Sequence, residues 1–141
     1  MLFETAVTVT AAPATIWSVV ADVERWPEWT ASTTRVERLD GGPFAVASRV
    51  RIKQPRFPPA VWKVTALEPE RSFTWVSKAP GLISTGDHVI EPEGDGARVV
   101  LRIRQEGALG PIFGRLAARI TRRYMEMEAR GLKQRAEAAA R

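Results

Sequence analysis

Between Ser32 and Gly107 the chain is a series of short β-type runs with no helical period among them. "STTRVERLD", "FAVASRVRIKQ", "AVWKVTALE", "SFTWVS", "LISTGDHVIEP" and "ARVVLRIRQEG" are rich in β-branched and aromatic residues. The intervening "GGP", "PRFPP", "PER", "KAPG" and "EGDG" supply the residues that tight turns require. Strands joined by such short turns must run antiparallel to their sequence neighbours, because a parallel pair needs a long crossover between them. The order therefore predicts a meander of about six strands, and a sheet with one dry face must be covered by something.

The covering elements lie at the two ends. "FETAVTVTA" (Phe3–Ala11) alternates and reads as a further strand. Pro13 then suits the first turn of a helix. Ile16, Val19, Val20 and Val23 recur at spacings of three and four, which marks one helical face. Asp22 is a candidate cap for a second short helix, which Pro27 interrupts or ends. After Gly110 the period becomes helical again. Phe113, Leu116, Ala117, Ile120, Tyr124, Met127 and Gly131 form an apolar stripe, with Arg115, Arg119, Arg122, Arg123 and Glu126 mostly outside it. A single helix of roughly 28 residues would be about 42 Å long, enough to cross a sheet. No repeat or linker divides residues 1–141, so one domain is expected.

Charge and composition narrow the function. The net charge is +5, and residues 1–110 carry equal numbers of acidic and basic side chains, so the whole excess lies on the terminal helix. The aromatic residues Phe113 and Tyr124 fall on its oily side and not among the arginines, which argues against nucleic acid as a partner. Its apolar face is needed to cover the sheet, so the basic face reads as a solvated surface and not as a membrane anchor. No apolar run approaches a membrane span and no signal peptide is expected, which makes the cytoplasm the default location. Cysteine is absent and there is one histidine, so neither a disulfide framework nor a tight transition-metal site is expected. Phosphate-binding loops, zinc-protease helices and serine nucleophile elbows are also missing, and nothing in the sequence asks for a cofactor.

"APATIWSVVADVERWPEW" resembles the opening helices of the START-like polyketide cyclase/dehydrase superfamily, often labelled SRPBCC. "VWKVTALEPERSFTW", "HVIEPEGDGARVVL" and "GRLAARITRRYMEMEARGLKQRAE" resemble its later strands and closing helix in order and length. The resemblance implies an α+β helix-grip fold. In it, a seven-stranded curved antiparallel sheet wraps a long C-terminal helix, and two short helices follow the first strand. It further implies a cavity between sheet and helix that takes lipids, steroids, polyketides or other apolar molecules.

Alternation nominates the residues facing that cavity. Trp62, Val64 and Ala66 share one face of their strand, and Phe73, Trp75 and Ser77 share a face of the next. Trp62 and Trp75 either line a cavity or fill it. His88 shares a face with Gly86 and Ile90; Gln54 is in phase with Ser48, Val50 and Ile52; Ile103 follows Val99 and Leu101 on a dry side. The candidate ligand-binding set is Gln54, Trp62, Trp75, His88, Ile103, Phe113, Leu116, Ile120, Tyr124 and Met127. Trp26 or Trp29 would plug one end, and Gly131 would permit a close approach or act as a hinge.

The first functional expectation is a small-molecule binding protein, monomeric or homodimeric, holding an apolar or amphipathic ligand. The second is a cyclase or dehydratase in which His88, the weak candidate for catalysis, acts as acid or base. The sequence shows no orienting partner for it. The third is a filled core, with the basic helix face contacting a partner protein.

Overall fold

The computed structural model describes every residue from Met1 to Arg141. Seven strands form one sheet: β1 (Leu2–Val9), β2 (Arg35–Arg38), β3 (Arg49–Lys53), β4 (Ala60–Glu68), β5 (Ser72–Ala79), β6 (Leu82–Glu93) and β7 (Gly96–Glu106). Their spatial order is β1-β7-β6-β5-β4-β3-β2, antiparallel throughout. The expected meander is present, and β1 extends it by pairing with β7, so that Phe3 faces Ile103 and Val7 faces Val99.

Between β1 and β2 lie α1 (Pro13–Val20) and a 3₁₀ helix (Val23–Glu28). Pro13 occupies the first turn of α1, where its missing N–H leaves no bond unmade. Pro27 sits inside the 3₁₀ helix without ending it, and Asp22 precedes that helix without a side-chain capping bond. Asp22 instead lies 3.4 Å from Arg25 in an exposed ion pair.

Alternation holds along β5, where Phe73 and Trp75 are buried, and along β6, where Ser84, Gly86, His88 and Ile90 are buried. It fails partway along β4. The register slips between Val64 and Ala66, leaving Thr65 as the extra residue of a bulge. Beyond that point Leu67, and not Ala66, turns toward the core.

The C-terminal region corrects the single-helix expectation. It forms α2 (Gly110–Leu116) and α3 (Ala118–Ala139), broken at Ala117, whose φ of −97° and ψ of 4° leave the helical region. The two helices serve different neighbours: α2 packs on β6 and β7, while α3 lies along β1 and α1. One straight rod cannot meet both surfaces. The break also rotates the buried stripe. On α3 it comprises Met125, Ala129, Leu132 and Ala136. Leu116 is 83% exposed, and Ile120 and Met127 are only half-buried.

The core between sheet and helices contains Val9, Ile16, Val23, Trp26, Val64, Phe73, Val99 and Leu132, all nearly inaccessible to solvent. Outside the sheet, the basic rows of β3 and β7 are not neighbours. Arg51 is 2.9 Å from Glu37, Arg49 is 3.0 Å from Asp40, and Arg98 is 3.0 Å from Glu91. Cross-strand and loop carboxylates thus offset like-charge repulsion.

A candidate ligand cavity between sheet and helix

A cavity of about 540 Å³ lies between the inner face of the sheet and the two C-terminal helices. The structure brings Gln54, Trp62, Trp75, His88 and Ile103 from the sheet together with Phe113 and Tyr124 from the helices on its wall. It does not bring Leu116, Ile120 or Met127 there: the break at Ala117 turns the helix so that Thr121, Met125 and Glu128 face inward instead.

The back of the cavity is aromatic. Trp75 lies 5.3 Å from Trp26 and 5.8 Å from Trp62, centroid to centroid. The room for Trp75 comes from its cross-strand partner, Gly86. A Cβ at Gly86 would sit 3.0 Å from the Trp75 Nε1. Trp26 is held in place because its Nε1 donates to the Val20 carbonyl at 3.0 Å. Trp26 therefore belongs to the wall, while Trp29 packs against Gly131 on α3.

Among the wall residues, His88 and Glu128 lie side by side. His88 stacks on Phe73 with centroids 4.3 Å apart and an interplanar angle of 9°. Its Nε2 is 3.4 Å from Glu128 Oε2, and the two side chains are 7% and 17% exposed. His88 Nδ1 is buried without a hydrogen-bond partner. α3 thus places a carboxylate beside the imidazole. At 3.4 Å the contact is long for a hydrogen bond.

Two further wall residues, Thr33 and Gln105, each carry a buried oxygen, Oγ1 and Oε1, without a hydrogen-bond partner. Leaving such a group unpaired costs about 1–3 kcal/mol. Thr33, Ser84 and Gln105 were absent from the sequence-derived set. Ser84 and Gln105 are inward-facing positions of β6 and β7 and stand opposite each other in register. Strand phase carried that signal. Glu128 was legible only through the four-three-four spacing of Met125, Ala129, Leu132 and Ala136 around it.

The cavity reaches the surface where its wall residues are themselves exposed: Pro58 and Pro59 just before β4, Val61 at its start, and Lys78 and Ala79 at the end of β5. Phe57 stands at this mouth, 6.1 Å from Phe113 and 6.0 Å from Tyr124 between ring centroids. Tyr124 Oη donates to the Pro55 carbonyl at 2.7 Å and ties α3 to the β3–β4 loop. No cluster of three or more His, Asp or Glu side chains has the arrangement a metal ion needs.

Solved structures of similar fold extend over the whole chain. A Streptomyces aromatase/cyclase superposes with a TM-score of 0.81 at 19% identity, covering 100% of this chain and 96% of that one. A protein from Thermus thermophilus gives 0.79 at 20% identity with both chains fully covered. A START superfamily protein from Mycobacterium smegmatis gives 0.76 at 20% identity, covering 98% of each chain. No curated protein matches the sequence. A family model described as polyketide cyclase/dehydrase and lipid transport matches residues 2–137. With that match spanning nearly its full length on a seven-stranded helix-grip fold, the chain belongs to the polyketide cyclase/dehydrase and lipid transport family.

Proposed function

We propose that the protein binds one amphipathic small molecule (a lipid, polyketide or other aromatic compound) in the cavity between the sheet and α3. The observation that carries this reading is a hollow of about 540 Å³ with an indole wall and unpaired buried polar atoms. Small-molecule sites commonly measure about 300–1,000 Å³. Burial of the ligand's apolar surface drives binding, at about 25 cal/mol per Å² before ordering costs. Thr33, His88 and Gln105 favour a ligand bearing oxygens over a bare hydrocarbon, because a small rotation of these side chains lets such a ligand satisfy polar atoms that a hydrocarbon leaves unpaired. Gln54 and the Trp62 indole add wall groups nearer the mouth.

The test compares a hydroxylated polycyclic aromatic with a hydrocarbon of the same shape, by native mass spectrometry and tryptophan fluorescence quenching. The hydroxylated compound binds at least tenfold more tightly, and replacing Gln105 with Leu removes most of the difference. Equal binding of the two, or binding of neither across a broad set of such pairs, refutes the reading.

The His88–Glu128 contact favours a second reading, acid–base turnover of the bound molecule. The pair is suited to dehydrating a β-hydroxy carbonyl compound. A proton is removed from the carbon beside the carbonyl, the carbon–carbon double bond forms as the C–O bond breaks, and the same proton leaves with the hydroxyl as water. No other reactant is consumed. Under this reading His88→Gln and Glu128→Gln each lower turnover by about 10²–10⁴ while ligand affinity changes little. Unchanged turnover in both variants would leave binding as the whole function.

A further inference from the structure

The helix break that displaces Leu116 from the cavity leaves an unusual surface. Leu109, Ile112 and Leu116 follow a three–four spacing along α2 and are 49%, 58% and 83% exposed. Beside Leu116 runs a groove of about 630 Å³ walled by Arg115, Arg119, Arg122 and Arg123, with Leu116 and Ala118. Glu126 is its single carboxylate. Elsewhere on the molecule most surface arginines are paired, yet none of these four has a carboxylate within 4 Å. Arg122 instead lies over the Phe3 ring, 5.3 Å from its centroid.

We propose that α2 and the first turns of α3 form a docking face for an anionic lipid bilayer. Leu116 protruding among arginines, with Leu109 and Ile112 exposed further along the same helix end, matches the two layers of such a surface. The apolar tips enter the acyl boundary while the guanidinium groups meet lipid phosphates. The charge of the face is complementary to that surface and to no second copy of itself, since a two-fold contact would set four arginines against four. Nucleic acid fits less well: Phe113 and Tyr124 turn into the cavity wall, so the face has no aromatic to stack on a base and its exposed leucines would stay in water. The chain has no helix long and apolar enough to cross a membrane, so the contact is peripheral. Phe113, three residues before Leu116 and so adjacent to it on α2, lies in the cavity wall, so docking brings that wall to the bilayer. The docking itself does not depend on what the cavity holds.

The experiment is co-sedimentation of the full chain with vesicles of phosphatidylcholine alone or mixed with phosphatidylserine, at low and high salt. Binding is expected only to the mixed vesicles and weakens as salt rises. Combining Arg119→Gln with Arg123→Gln lowers the partition coefficient about 25-fold, from about fivefold per charge. Leu116→Ser lowers it about tenfold, while Arg98→Gln on the sheet's outer surface changes nothing. Circular dichroism confirms that each variant is folded; all four positions are solvent-accessible. Equal binding to both vesicle types, no sedimentation with either, or double-variant binding equal to the parent overturns the proposal. Arginine-dependent binding to an acidic polypeptide without binding to vesicles overturns it in favour of a protein partner, and a Leu116-dependent dimer without vesicle binding does so in favour of self-association.

Discussion

A methyl group at Gly131 would overlap the carbonyl oxygen of Trp29. Helix propensity favours alanine there by about 1 kcal/mol, and the contact opposes it more strongly. Gly131→Ala should therefore lower stability by about 1–3 kcal/mol; a chemical denaturation curve showing a gain would contradict the close-approach account. The glycine was visible in the sequence, but the choice between close approach and hinge was not, because it depends on a residue 102 positions away. Glu128 is the stronger case of the same limit. Nothing next to it in sequence marks it out from Glu126, and only the phase of α3 sends one inward to His88 and the other to solvent. Trp62, Trp75 and His88 were readable because strand phase is set by a period of two and needs no knowledge of partners.

At the scale of elements, α3 is held by its apolar stripe and by ties at its far end. Leu132 is fully buried in the core, and Leu132→Ala should cost about 2–5 kcal/mol. Glu137 accepts hydrogen bonds from Lys133 Nζ at 2.7 Å and from the Thr10 N–H at 2.8 Å, joining α3 to the end of β1. The Lys133 bond, followed by the Thr10 amide, holds its carboxyl below the ordinary carboxylate value. A lowered value means that the ionised form stabilises the fold. The contribution is complete above the ordinary carboxylate value and is lost as pH falls through the lowered one. Glu137→Gln should then reduce the loss of stability on acidification, measured as denaturation midpoints across the acid range; an unchanged pH profile would show that the tie carries no weight. The strand order was legible from turn lengths, whereas the break at Ala117 was not. No proline or glycine marks it, and it arises because α2 and α3 pack on different parts of the sheet and its neighbours.

For the whole molecule, the hollow interior is itself a stability statement. A chain of this size that keeps about 540 Å³ open forgoes contacts that a filled core would make. A ligand that occupies the space at a hundredfold its Kd adds about 2.7 kcal/mol. That should raise Tm by about 9 °C at this chain length, and a compound that binds by mass spectrometry without shifting Tm is outside the cavity. Trp62→Ala should abolish most of that shift, since the indole forms part of the wall beside Trp75. The amino-acid sequence alone determined the strand succession, the antiparallel pairing, the phase of β5 and β6, and the need for a helical cover, because these follow from local periodicity and turn chemistry. The tertiary structure decided the bulge in β4, the break before α3, the meeting of His88 with Glu128 and the exposure of Leu116. Each of these depends on how two surfaces distant in sequence fit together, and no local pattern records that fit.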